Sequence, residues 1–247
     1  MKDIELTIST TNTGQLAKRI IVALDFDNLD KAKNLVEQLD PNLCRLKVGK
    51  EMFTLFGPKW VSQLVVSGFD VFLDLKFHDI PNTVAKACAA AAKLGVWMVN
   101  VHATGGNEMM QAAMNSLESF GDNRPLLTAV TILTSMNERE FNNIGFTRNI
   151  KDQVLHLANM AKQAGLDGVV CSAAEAASLS TQFGRSFKLV TPGIRPIGSD
   201  KGDQSRVMTP SQAIQAGASY LVIGRPITQS PDPLKSLCEI SESLAFS

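Results

Sequence analysis

Short, β-rich apolar runs alternate along this chain with longer mixed stretches. Eight runs stand out: Ile20 to Phe26, Cys44 to Val48, Asp70 to Lys76, Val96 to His102, Leu126 to Leu133, Asp167 to Cys171, Phe187 to Val190 and Ser219 to Gly224. Each has strand length and composition. Between them the pattern predicts helices, with good examples at Leu29 to Leu39, the Ala-rich Asn82 to Leu94, and Ile150 to Gln163. Gly68, Gly95, Gly165 and Gly217 each fall just before the next strand, where helices commonly end in a left-handed residue. Strands separated by helices pair in parallel. Eight such units in 247 residues predict an α/β fold, the TIM (β/α)8 barrel. The expected organisation is a short polar tail, residues 1–19, and one catalytic barrel domain, residues 20–247. An open doubly wound sheet is the alternative, because periodicity does not show closure.

Composition removes function classes rather than adding any. Hydrophobic residues make up 45 % of the chain, which is ordinary for a packed domain and too high for disorder. The 24 basic and 24 acidic residues cancel. No global field draws the chain to nucleic acid or to an anionic membrane, so an anionic ligand needs a local site. No apolar run reaches the ~18 residues of a membrane span. The amino-terminal stretch lacks the apolar core of a signal peptide. Cys44, Cys88, Cys171 and Cys238 are widely spaced and form no CxxC pair. They read as buried free thiols of a reducing compartment.

The chemistry sits where the strands end. In a (β/α)8 barrel the active site lies at the C-terminal mouth. Here those ends carry Asp25, Lys47, Asp74 with Lys76, Asn100 with His102, and Thr131 with Thr134. Strand side chains alternate, so Asp74 and Lys76 should share the interior face, with Leu73 and Leu75 turned to the helices. Lys47 ends the neighbouring strand. Buried charges are costly unless paired, and alternating lysines and carboxylates can satisfy each other. Asp79 lies beyond the strand, ahead of the Pro81-Asn82 turn, and so belongs to a loop.

A second cluster follows the seventh and eighth strands. The Thr191 to Thr209 segment is long for a barrel loop and carries Arg195, Lys201, Gln204 and Arg206; loops of this length are often lids or binding loops. The eighth strand ends in Gly224-Arg225-Pro226. Backbone N–H groups at a helix start and an arginine suit an anion, and barrel phosphate sites commonly use these two loops. No Walker, Rossmann or catalytic-triad signature is present; His78, His102 and His156 lack an obvious nucleophile partner.

The segment Asp74-Leu75-Lys76-Phe77-His78-Asp79-Ile80-Pro81-Asn82-Thr83 resembles the DxKxxDIPNT segment of the orotidine 5'-phosphate decarboxylase family. Supporting matches are Ala23-Leu24-Asp25, Leu46-Lys47-Val48-Gly49, Leu133-Thr134-Ser135-Met136, Thr191-Pro192-Gly193-Ile194-Arg195, Gly202-Asp203-Gln204 and Ile223-Gly224-Arg225. They run from Ile20 to about Ile227, and no catalytic position departs from the pattern.

The resemblance implies a cytoplasmic, homodimeric enzyme of pyrimidine biosynthesis. It would release CO2 from orotidine 5'-phosphate to give uridine 5'-phosphate, with no metal and no organic cofactor. Lys76 would stabilise and protonate C6 of the pyrimidine. Asp74 and Lys47 would flank it, and Asp79 and Thr83 would reach into the partner's site. Asp25 and Lys47 would bind the ribose, and Thr134 and Ser135 the pyrimidine. Arg225, Gln204 and the Gly224 backbone would hold the phosphate, with Arg195 in the same loop. Two rivals remain: a metal-dependent sugar-phosphate decarboxylase on the same scaffold, and a non-catalytic nucleotide-binding barrel.

Overall fold

A computed structural model describes residue 16, residues 18–196 and residues 208–245. The eight runs form eight parallel strands: β1 (Ile20–Leu24), β2 (Arg45–Gly49), β3 (Val71–Phe77), β4 (Met98–His102), β5 (Leu126–Val130), β6 (Gly168–Val170), β7 (Lys188–Thr191) and β8 (Tyr220–Ile223). They pair in sequence order, and β1 closes on β8 through the Ile21↔Val222 register. That closure overturns the open-sheet alternative.

Helices follow the strands: α1 (Leu29–Glu37), α2 (Lys50–Val66), α3 (Pro81–Lys93), α4 (Asn107–Asn115), α5 (Glu138–Asn143), α6 (Ile150–Gln163), α7 (Ala173–Phe183), α8 (Pro210–Gln215), α9 (Arg225–Thr228) and α10 (Pro233–Leu244). Their starts are written locally. Asn28 and Asn149 accept from backbone N–H groups three residues on, and Thr209 with Gln212 forms a capping box, satisfying donors that the first turn leaves free. Their ends use the expected glycines; Gly68, Gly95, Gly165 and Gly217 all have positive φ.

Alternation along each strand sorts the core into two bodies. Val22, Leu24, Leu46, Val48, Leu73, Val99, Leu127, Val169, Leu189 and Ile223 face the helices in one continuous cluster. Ile21, Ala23, Phe72, Met98, Val190 and Val222 fill the barrel. The amino-terminal floor is closed by an aromatic and ionic layer. The Arg45 guanidinium stacks 4.2 Å from the Trp97 ring and 5.2 Å from Tyr220, and its Nε lies 3.2 Å from Asp70. Lys18 also reaches Asp70 at 3.1 Å, and Arg19 donates to the Ala218 and Ser219 carbonyls. The last two residues of the expected tail are thus fastened to the floor; residues 1–15 lie outside the described part. Cys44, Cys88 and Cys171 are buried and free, as the sequence predicts; Cys238 is free but only half-buried on the last helix, where one face meets solvent. No helix among the described residues is long and apolar enough to cross a membrane.

Candidate active site

Above the apolar layer the barrel interior turns polar. Ala23 pairs in register with Lys47, and Gly49 with Asp74, so β1, β2 and β3 deliver Asp25, Lys47 and Asp74 to adjacent points of the mouth. The Lys47 ammonium lies 3.1 Å from Asp25 Oδ1 and 3.7 Å from Asp74 Oδ2. The Lys76 ammonium lies 2.6 Å from Asp74 Oδ1. The order along the mouth is carboxylate, ammonium, carboxylate, ammonium. Gly49 makes room for it: a Cβ there would stand 3.3 Å from the Lys47 ammonium.

Alternation places Asp74 and Lys76 together on the interior face, as the sequence predicts, with Leu73, Leu75 and Phe77 on the helix side, but the ladder beneath Lys76 is irregular. Between Leu73 and Phe77 the register to β4 shifts: Leu73 pairs with Val99, but Phe77 pairs with Val101. Extra residues of β3 bulge from the ladder. Within the bulge Lys76 has φ 52, the one positive φ among the described non-glycine residues. A side chain in this left-handed region costs about 1–2 kcal/mol, and such strain persists only where surrounding bonds enforce it. The Lys76 N–H donates to Asn100 Oδ1 at 2.8 Å, and Asn100 Nδ2 donates to Asp74 Oδ1 at 2.7 Å. The sequence marks Asn100 only as one more polar strand end; a buried amide inside an otherwise apolar strand was the available signal.

Asp74 is the most strongly held carboxylate of the cluster. Burial works to raise its pKa, but Lys47, Lys76 and the hydrogen bonds from Lys76 and Asn100 outweigh it and hold the carboxyl below its ordinary range. His102, at the end of β4, is driven the other way. Burial first, then the nearby His78, Lys50 and Lys76 charges, lower it to about 4, so it is neutral at pH 7. Its ring lies 5.5 Å from that of His78.

Two cavities flank the Lys47–Asp25 pair, Lys47 lining one and Asp25 the other. One, about 180 Å³, has Lys47, Asp74 and Lys76 on one wall and Phe72, Ile132, Thr134, Val170 and Pro192 around the rest. Its mix of apolar walls and a few convergent charges suits a flat organic ring. The other, about 420 Å³, is lined by Asp25, Lys31, Glu51, Gly224 and Arg225. Arg225 opens α9 directly after β8, and Gly224 is its N-cap.

The remaining predicted residues fall elsewhere. The strand before Thr134 stops at Val130, so Thr134 reaches the first cavity from a loop; Ser135 is exposed and is not among its lining residues. Arg195 is buried at the base of the long loop and donates to the Ile194 carbonyl. That base is pinned by the Ile194↔Met208 bridge and by the Arg195 N–H bond to the Met208 carbonyl. Gln204, Lys201 and Arg206 lie outside the described residues. Asp79 is exposed, and its Oδ1 accepts from the Ile80 N–H at 2.6 Å. Thr83 is exposed on the first turn of α3. In a single chain, then, Asp25, Lys47, Asp74 and Lys76 come together, whereas Asp79 and Thr83 face outward beside exposed Ile80.

Charge gathered at one end of a barrel, over a floor closed by packed aromatics, defines a (β/α)8-barrel enzyme working at its strand C-termini. Comparison with known proteins narrows this. The model of the "Orotidine 5'-phosphate decarboxylase / HUMPS family" matches residues 18–240, and the chain belongs to that family. It is 62 % identical over 228 residues to the orotidine 5'-phosphate decarboxylase of Pseudoalteromonas translucida, covering 92 % of this chain and 97 % of that one. It is 62 % identical over 226 residues to the Vibrio cholerae protein of the same name, covering 92 % and 98 %. The crystal structure of orotidine 5'-phosphate decarboxylase from Lactobacillus acidophilus matches with a TM-score of 0.83 at 40 % identity, covering 91 % of this chain and 98 % of that one.

Proposed function

We propose that this chain decarboxylates orotidine 5'-phosphate to uridine 5'-phosphate without a cofactor, and that Lys76 carries the chemistry. The observation that supports this most is the Lys47–Asp74–Lys76 array on the wall of a ring-sized cavity. Loss of CO2 leaves an electron pair at C6 of the pyrimidine. An ammonium placed against C6 favours that charge as it develops and then supplies the proton. Asp74 holds the ammonium at 2.6 Å, and its negative charge disfavours a second carboxylate beside it, which favours release of CO2. Lys47 bridges Asp74 and Asp25 and, with Asp25, is placed for ribose hydroxyls between the two cavities. Arg225 and the Gly224 backbone take the phosphate in the second cavity, with Gln204 assigned there from the family pattern. Thr134 takes the pyrimidine edge, with exposed Ser135 assigned beside it from the family pattern, and Arg195 supports the base of the phosphate loop.

The working unit in this reading is a homodimer. Outward-facing Asp79 and Thr83, next to apolar Ile80 with 66 % of its surface exposed, complete the site of the partner subunit. The cytoplasm is the corresponding location for a biosynthetic enzyme with free buried thiols.

The test is the loss of orotidine 5'-phosphate absorbance with purified protein, with and without a chelator. Turnover unchanged by EDTA is expected. No loss of orotidine 5'-phosphate absorbance, beside CO2 release from a sugar phosphate that EDTA abolishes and a divalent ion restores, favours the metal-dependent sugar-phosphate rival. Tight nucleotide binding without CO2 release favours the binding barrel.

A further inference from the structure

Asn100 is fully buried in β4, behind the charged wall and without a role in the chemistry described so far. Its amide makes two bonds of opposite sense. Oδ1 accepts from the Lys76 N–H, and Nδ2 donates to Asp74 Oδ1. The Lys76 N–H can only donate and an ionised Asp74 can only accept, so a single amide orientation serves both. A hydroxyl is shorter, a carboxylate lacks the donor, and an aliphatic side chain has neither group. Both bonds fall inside the stretch where β3 leaves register with β4, and they grip the residue with the left-handed backbone. There a side-chain carbonyl takes the N–H that a regular parallel ladder would give to a neighbouring backbone carbonyl.

We propose that Asn100 is a positioning residue: its amide holds the β3 bulge that aims Lys76 and fixes the Asp74 carboxylate relative to the Lys76 ammonium. The inference rests on the reading of Lys76 as the group that protonates C6. Without the amide, the bulge can relax and the Lys76 backbone can leave its left-handed conformation, which shifts its ammonium relative to Asp74. A displacement of about 1 Å in a reacting group costs on the order of 100-fold in rate.

The test compares Asn100→Ala, Asn100→Asp and Lys76→Ala with the parent chain. It reads kcat and KM for orotidine 5'-phosphate, Kd for uridine 5'-phosphate, and thermal midpoint. For Asn100→Ala, kcat is expected to fall about 100-fold, with Kd for uridine 5'-phosphate within about threefold of the parent. Asn100→Asp keeps the side-chain volume and the acceptor for Lys76 but sets a carboxylate against Asp74. It too is expected to lose kcat while keeping nucleotide affinity, and it decides the matter if Asn100→Ala fails to fold. Parental kcat in either variant, beside an inactive Lys76→Ala, overturns the role of Asn100 and leaves that of Lys76 intact. Parallel loss of kcat, nucleotide affinity and thermal midpoint makes Asn100 a packing residue and also overturns the proposal. Normal turnover by Lys76→Ala removes the reading on which the inference rests.

Discussion

Asp74→Ala strands the Lys76 ammonium and leaves Lys47 with Asp25 alone, and the cost can be worked from the distances. The side chains of Asp74 and Lys47 are 13 % and 10 % exposed, and that of Lys76 25 %. At an effective dielectric of about 20, unit charges 3.7 and 2.6 Å apart attract by roughly 4 and 6 kcal/mol. Much of that gross attraction offsets desolvation in the folded state, so the net loss on removing one partner of such a buried set is about 3–5 kcal/mol. With a urea m-value of about 3 kcal/mol/M, the midpoint falls by about 1 M or more with m unchanged. The assay is urea unfolding followed by circular dichroism at one fixed protomer concentration. Adding Lys76→Ala to Asp74→Ala removes the stranded charge, so the double variant should recover at least about 1 kcal/mol relative to additivity. Additive losses within about 0.5 kcal/mol would show that Asp74 and Lys76 are independently solvated, and the argument for a coupled charged wall would fail.

Asp79 is expected to act across a dimer. Mixing inactive Lys76→Ala and Asp79→Ala chains should regenerate one competent site per heterodimer, and no recovery of activity on mixing refutes a shared site. His102 has its folded-state pKa lowered to about 4. The unfolded chain, with an ordinary histidine near 6.5, takes up that proton first, so stability drains away as pH falls from about 6.5 to about 4. Replacing His102 by Gln should flatten chemical-denaturation stability over that window; an unchanged slope removes His102 as its source. Phosphate-free orotidine should react far more slowly than the nucleotide, because binding energy remote from C6 assembles the site; equal kcat/KM for the two would contradict this.

The sequence made the barrel legible because every strand run is apolar and every helix between is punctuated by caps and glycines. Boundaries were less legible where apolar residues continue past the last ladder bond. Ile132 remains buried beyond the end of β5, so the pattern ran through it. The charged mouth was legible from polar residues at strand ends. The irregular ladder beneath Lys76 was not, because alternation assumes a regular ladder and a lysine gives no hint of a left-handed backbone. The same assumption hid Asn100, whose partners exist only once β3 bulges toward β4. Asp79 and Thr83 carry no signal of their own within one chain. They are exposed loop and first-turn residues, and only the DIPNT pattern gives them a task.

The central claim is that the Lys76 ammonium delivers the rate. It is tested most directly by following single-turnover conversion of orotidine 5'-phosphate by the parent chain and by Lys76→Ala, with uridine 5'-phosphate affinity measured on both. The account predicts a loss of turnover of at least about 1,000-fold, with nucleotide binding still measurable. Near-parental turnover in Lys76→Ala would contradict it, whatever the rest of the barrel contributes.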